Sequence, residues 1–245
     1  MNIPVNKIVE FLPWDSEFFG VRIARFSVHH ISLAEMRSAL RWCCTNKIRC
    51  LYFHAETNDS TTIRIAEDNH FQLVDIRVAM EMKMRSPTPI MKDNAIRHAT
   101  RKDLPILRDL FAGISSCSRF HFDTRFPPDV AERLYRCWIE RSIEGYATCV
   151  FVLEDNNTIL GCITGHLNAI DKSAKVGLLA VSNSARLKGV GSRLLQAFCC
   201  FAAEQKYTTY QVVTQGRNIA AQRLYARNKF LIKSVLLTYH KWMDK

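Results

Sequence analysis

Val181-Ser182-Asn183-Ser184-Ala185-Arg186-Leu187-Lys188-Gly189-Val190-Gly191-Ser192-Arg193-Leu194-Leu195 decides how this chain is read. The apolar run Val176–Val181 leads into it and predicts a strand. After a polar loop, apolar residues fall at 190, 194, 195, 198, 201 and 202, one face of a helix over Val190–Ala203. Strand, basic loop and helix therefore follow one another, with two glycines where the helix begins. Without Cβ atoms there, a ligand can approach the backbone closely. The N–H groups of a first helical turn and the helix dipole favour an anion. Arg186 and Lys188 add positive charge, so the physics predicts a phosphate or pyrophosphate site. No G-x-x-x-x-G-K-[ST] is present, which excludes a P-loop. Only two glycines occur, late in the chain, which argues against a dinucleotide fingerprint.

The 245 residues suit one large or two small domains, and 48% hydrophobic residues supply ample core. No apolar run reaches ~18 residues, so no membrane partner is expected. Met1 to Glu10 lacks an apolar stretch of the secretory kind. Nine scattered cysteines, with no C-x-x-C or Cys/His spacing, predict reduced and mostly buried thiols, a cytoplasmic location and no metal. A net charge of +11 fits nucleic acid or an anionic cofactor with a phosphorylated substrate. The bases are dispersed without aromatic interleaving, and no nucleic-acid partner is expected.

Residues 1–88 predict a small α/β unit. Trp14-Asp15-Ser16-Glu17-Phe18-Phe19-Gly20 reads as an aromatic-rich turn, with Phe18 and Phe19 in the core. Strands are expected at 21–28, 50–54 and 71–84, and helices at 33–46 and from Asp59 or Ser60 through Asn69. Arg85-Ser86-Pro87-Thr88-Pro89 reads as a linker. A second unit spans residues 95–245. It opens with strand Ile96–Thr100 and a helix through Leu104, Leu107, Leu110 and Phe111. A long loop over 115–129 and a helix over 129–143 come next. Three antiparallel strands are predicted at 147–153, 158–168 and 174–181, the first two joined by the Asp155-Asn156-Asn157 turn. The glycine loop and its helix precede strand 209–213, helix 219–227 and strand 230–242. The fold class is a mixed α/β sheet protein.

Arg186-x-x-Gly189-x-Gly191, between a strand and a helix, resembles the acetyl-CoA pyrophosphate loop of the GNAT superfamily of N-acetyltransferases. The element order over 95–242 resembles that whole fold, and Ile96-Arg97-x-Ala99-Thr100-x-x-Asp103-x-x-x-Leu107 its opening. Asn218-Ile219-Ala220-Ala221-Gln222-Arg223-Leu224-Tyr225 through Phe230 is similar to the family's N-x-x-A-x-x-L-Y segment. Lys229 stands where the family has glycine, and Asn228 is the residue expected to turn left-handed instead. Trp14-Asp15-Ser16-x-Phe18-Phe19-Gly20, Ser118-Arg119-Phe120 and Leu134-Tyr135-x-x-Trp138 look like the dTDP-fucosamine N-acetyltransferases. Those enzymes act on a dTDP-linked 4-amino-4,6-dideoxyhexose and place a small α/β domain before the GNAT domain.

The resemblance implies acetyl-CoA as co-substrate, a nucleotide-linked amino sugar as acceptor, and a homodimer. It implies a bulged strand whose backbone at Leu178, Leu179, Ala180 and Val181 meets pantetheine and the thioester oxygen. The pyrophosphate falls to the backbone of Arg186, Leu187, Lys188, Gly189, Val190, Gly191 and Ser192, and Asn218 meets the cofactor arm. Tyr225 becomes the general acid, since a phenol is protonated at neutral pH. It lies two helical turns beyond Asn218. A packed tyrosine bonded to backbone is the competing structural role. His166 is a candidate on the amine side, beside a plain strand histidine or a water relay. Arg119 suits a diphosphate, or else a surface ion pair. His121, Trp14 and Trp138 are candidate walls of the sugar site, with packing the alternative for the tryptophans. Ser118, His121 and Asp123 show no order as a hydrolase triad. Other readings are acetylation of a peptide or small amine, and a non-catalytic acyl-CoA-binding module.

Overall fold

The structure is a computed structural model that describes residues 8–83 and 93–243. The expected linker at 85–89 lies outside the described residues. In chain order the elements begin β1 (Val9–Phe11), α1 (Pro13–Phe19), β2 (Ile23–Phe26), α2 (Leu33–Thr45) and β3 (Cys50–Glu56). Then come α3 (Ser60–Asp68), β4 (Gln72–Lys83), β5 (Ile96–His98), α4 (Leu104–Ala112), α5 (Arg119–Phe122) and α6 (Val130–Arg141). The chain continues with β6 (Cys149–Asp155), β7 (Thr158–Asn168), β8 (Ser173–Val181), α7 (Val190–Glu204), β9 (Thr209–Gln215), α8 (Ile219–Arg227) and β10 (Leu231–Trp242). Helices and strands are both substantial, and the sheet is mixed.

Two compact units result. The first gathers the chain through Val78, residues 215–217 and the residues from Ser234 on. The last strand, which the sequence places with 95–245, thus contributes most of its length here. The strand order is β1-β2-β3-β10-β4. β10 lies antiparallel to β3, with Thr238 opposite His54, and β2 lies parallel to β3. Met36, Ala39 and Cys43 of α2 and Ala66 of α3 pack with Phe26, Leu51, Phe53 and Tyr239. Each helix starts on its own cap. Ser32 and Glu35 bond reciprocally at α2, and Asp59 accepts the Thr62 N–H at α3.

Two expectations for this unit are corrected. The Trp14–Gly20 stretch is a helix, closed by Gly20 at φ +68°, and not a turn. Pro13 at its first turn pre-sets the helical φ. Trp14 stacks on Phe18 at 5.3 Å and Phe18 meets Phe19 edge-on at 5.0 Å. Phe18 and Phe19, expected in the core, are only half-buried.

The second unit holds residues 79–214 and 218–233, with strand order β4-β9-β8-β7-β6-β5. β5 to β8 form an antiparallel meander, turned at Asn156 and Asn157, both at positive φ. Leu107 and Phe111 of α4 and Tyr135 and Ile139 of α6 pack with Val152, Cys162 and Ala180. Gly161 and Gly165 face the other way, onto Val190, Leu194 and Phe198 of α7. The Ile96–Asp103 motif ties β5 to α4. Arg97 donates a fork of two 2.9 Å bonds to Asp103, and Asp103 accepts the Thr100 N–H at 2.7 Å. The Arg97 guanidinium, first among the causes, holds the Asp103 carboxyl down to about 2.

The long loop expected over 115–129 is partly helical, with a 3₁₀ turn at Ser115–Cys117 and then α5. The Ser118 hydroxyl accepts the Phe120 N–H, and such local capping suffices for one turn. Five of the nine thiols are buried, at Cys43, Cys50, Cys149, Cys162 and Cys199, whereas Cys44 is exposed.

Candidate active site

The site is built on β8, which does two unusual things. First, β8 and the parallel β9 pair only at their beginnings, from Ser173 with Thr209 to Lys175 with Gln211. Beyond that point the pairing ends in a splay, and among the described residues that edge of β8 has no strand partner. Second, β8 carries a bulge at the same place. Leu179 pairs with Ile163 of β7 but Val176 with Gly165, so Gly177 and Leu178 together oppose Thr164.

The hydrogen bonds assign each backbone donor a side. Ser182 N–H bonds the Leu160 carbonyl of β7 at 2.9 Å. Antiparallel alternation then turns Ala180 toward β7, and Leu179 and Val181 toward the splay. Leu178 N–H is received by the Thr164 hydroxyl at 2.9 Å. Of the four backbone positions expected to meet the cofactor, Leu179 and Val181 offer N–H groups to the splay.

The loop after β8 leaves a helix start open. A 3₁₀ turn at Asn183–Ala185 leads to Leu187 at φ +63° and Gly189 at φ +79°. A side chain is strained at Gly189, and glycine relieves this. Gly189 is the N-cap of α7, and no side chain caps it. The N–H groups of Val190, Gly191 and Ser192 occupy the first turn, where intrahelical partners do not exist. Arg186, Leu187 and Lys188 are exposed, Leu187 fully. These features fit a pyrophosphate.

The start of α8 is brought to the same place. Asn228 Nδ2 donates to the Ser192 hydroxyl at 2.9 Å, and a Cβ on Gly191 would lie 3.1 Å from Leu224. Asn218 caps α8 by accepting the Ala221 N–H at 3.1 Å. Lys229 itself takes the left-handed conformation, φ +68°, and Asn228 stays at φ −94°, which corrects the expectation for that turn. The Asn228 side chain is committed to Ser192 and the Leu224 carbonyl, which leaves the reversal to the next residue.

The Tyr225 ring is 5% exposed, beside Phe230, and burial pushes its phenol well above the ordinary value. No hydrogen bond of its hydroxyl occurs among the described residues. The Tyr210 hydroxyl, by contrast, donates to backbone carbonyls, at Cys199 and Tyr207.

His166 of β7 sits against the bulge. A Cβ on Gly177 would lie 2.8 Å from its Nε2 and 2.6 Å from the Thr164 hydroxyl. Burial, then the Lys175 charge, lowers the His166 pKa, while a bond with the Tyr146 backbone works the other way. The imidazole is therefore neutral at pH 7 and able to accept a proton. Tyr146, which the sequence did not single out, meets His166 edge-on at 5.2 Å with the Arg141 guanidinium 5.0 Å from its ring. It ends a π-helical turn, Ser142–Tyr146, broken by Gly145 at φ +106°. Gly145-Tyr146 after an amphipathic helix was the available signal.

Arg119 and His121 lie on α5, with Arg119 stacked on Phe120 at 4.7 Å and His121 exposed beside Phe122. The Ser118 hydroxyl accepts the Phe120 N–H and Asp123 accepts the Arg125 N–H. Trp138 is half-buried against Tyr135. Among the described residues, no group of His, Cys, Asp and Glu is placed to hold a metal, and no helix is long and apolar enough to cross a membrane.

Beside a splayed pair of parallel strands, a bulge at the fork and an uncapped helix start are the arrangement that the resemblance to acyl-CoA-dependent acetyltransferases implies. Residues 114–230 match the model of the acetyltransferase (GNAT) family, and the chain carries a GNAT acetyltransferase domain. That family uses acetyl-CoA as co-substrate. The chain is 27% identical over 235 residues to the dTDP-fucosamine acetyltransferase of Escherichia coli O6:H1, covering 95% of this chain and 97% of the relative. It is 27% identical over 128 residues to the Bacillus subtilis spore coat polysaccharide biosynthesis protein SpsD, covering 52% of this chain and 44% of that one. Among solved structures, a functionally unknown conserved protein from Staphylococcus epidermidis superposes with a TM-score of 0.69 at 12% identity, over 96% of this chain and 90% of the other. A GCN5-related N-acetyltransferase from Sphaerobacter thermophilus gives 0.64 at 14% identity, over 96% and 76%. These two show the shared fold.

Proposed function

We propose that the enzyme acetylates the amino group of a nucleotide-linked amino-deoxy sugar of the dTDP-4-amino-4,6-dideoxyhexose type, by direct attack in a ternary complex. The observation that carries this is the similarity to a dTDP-fucosamine acetyltransferase along nearly the full length of both chains. The positive charge of the chain suits an acceptor bearing a diphosphate.

Acetyl-CoA supplies a thioester open to attack by a neutral amine. The first turn of α7, with Arg186 and Lys188, binds the pyrophosphate. Leu179 and Val181 present N–H groups along the pantetheine arm and to the carbonyl oxygen, where negative charge grows. Tyr225, held protonated by its burial, gives a proton to the departing sulfur. His166, held neutral, takes the proton released by the amine. Arg119 and His121 meet the nucleotide and sugar. The same reading takes the enzyme as a cytoplasmic homodimer, which light scattering on the purified protein tests for oligomeric state.

A thiol-release assay with acetyl-CoA and a panel of amines tests the acceptor. Turnover confined to nucleotide-linked amino sugars is expected. Turnover with peptides or polyamines in their place removes the sugar reading and leaves the enzyme an acetyltransferase.

A further inference from the structure

We infer that Thr164 is a positioning residue that locks the bulge of β8 and so selects which backbone N–H groups face the acyl group. The inference rests on the proposed use of the bulge in acetyl transfer, and it adds a residue outside the family-like motifs. Thr164 is fully buried on β7, and its hydroxyl is bonded to the one N–H that the bulge turns back toward that strand, Leu178.

A bulge leaves one residue without a ladder partner, and an N–H kept from water without a partner is destabilising. A side-chain oxygen at the right height on the facing strand removes that cost. The alternation then runs onward from a fixed phase. Leu178 and Ala180 face β7, while Leu179 and Val181 face the splay. If the bulge relaxed by one residue, the two sets would exchange. Leu178 and Ala180 would then point into the splay, and the donors would be displaced along β8. Misplaced donors stabilise developing charge poorly, because their value depends on being aimed before the reaction starts.

Gly177 supports the same conclusion independently. A Cβ there would lie 2.6 Å from the Thr164 oxygen and 2.8 Å from His166 Nε2. The bulge is therefore closed around the hydroxyl, with room for hydrogen only. A methyl at Gly177 must push away either the latch or His166.

The test uses the full chain with Thr164→Val, which keeps the shape and removes the oxygen, and Thr164→Ser, which keeps the oxygen. Two properties are measured. The first is hydrogen exchange of the Leu178 amide in the ligand-free protein, read by NMR. The second is kcat and the acetyl-CoA KM, with whichever amine the wild type acetylates. Thr164→Val is expected to speed exchange about tenfold or more, as a hydrogen-bonded amide becomes unbonded. It is expected to lower kcat about 10- to 100-fold while KM stays within about threefold, the pattern of a misplaced transition-state donor. Thr164→Ser should restore both. If Thr164→Val does not fold, Gly177→Ala serves in its place, with faster exchange of the Leu178 amide as its readout, since a displaced His166 would also lower kcat there.

Unchanged exchange in Thr164→Val overturns the latch. Faster exchange with kcat retained overturns its catalytic importance, as does a serine variant no better than valine. A wrong choice of acceptor shows in the wild-type panel alone and leaves these comparisons intact.

Discussion

α7 and α8 both begin in the second unit, both after a strand and a polar loop, and they begin differently. At α8 the chain closes its own helix start, with Asn218 accepting the Ala221 N–H. At α7 glycine occupies the cap, no side chain bonds the N–H groups as a cap, and two exposed cations stand just before it. A capped start is a finished structural element. An uncapped start carries partial positive charge and donors that some other group must satisfy. Its helix is kept in place by other means, since Val190, Leu194, Leu195 and Phe198 are buried and Asn228 holds Ser192. Stability resides in the apolar face of α7, and its polar end is the one we propose for the pyrophosphate.

The largest effect expected on this contrast comes from α8. Tyr225→Phe keeps the packing and removes the proton donor, so kcat should fall about a hundredfold or more. Acetyl-CoA affinity, which the proposal sets at α7, should stay within about threefold. Near-normal kcat would make Tyr225 a packing residue. Next is the open start itself. Replacing Arg186 and Lys188 together by alanine should raise the acetyl-CoA KM about tenfold, with the gap narrowing as salt is added. Unchanged KM would mean that the backbone alone suffices.

Asn218→Ala separates the two helix starts further. As a cap it contributes about 1 kcal/mol, so the melting temperature should drop while acetyl-CoA KM holds. A rise in KM would show that the Asn218 side chain also meets the cofactor arm. The smallest effect is at the other end of α8. Lys229→Gly relieves a left-handed lysine but adds chain freedom when unfolded, for a net gain of about 0.5 kcal/mol in denaturant unfolding. Loss of stability would show that the Lys229 side chain has a role of its own.

Much of this was legible because it is local. The apolar spacing that predicted a helix from Val190 is the face that is buried, and Asn156-Asn157 turned where a hairpin needs two residues at positive φ. The helix expected over 219–227 is found at Ile219–Arg227, although the turn at its end falls on Lys229 and not on Asn228. The splay between β8 and β9 was not legible, because it concerns pairing between segments about 30 residues apart and leaves no periodicity. Resemblance implied a bulge, but the choice between Leu178 and Leu179 depends on one hydroxyl across the sheet. Tyr146 was missed because its importance comes from the neighbourhood of His166 rather than from its own pattern. Around Trp14, aromatic density suggested a turn, whereas Pro13 and Gly20 mark the two ends of a short helix.

The most direct measurement is an NMR titration of the ligand-free enzyme with CoA, following backbone amides at both helix starts. The account predicts large shifts for Leu187 through Ser192, with Leu179 and Val181 following, and little change at Ala221, whose N–H is already capped. Shifts at Ala221 with none at Val190, Gly191 and Ser192 would contradict it.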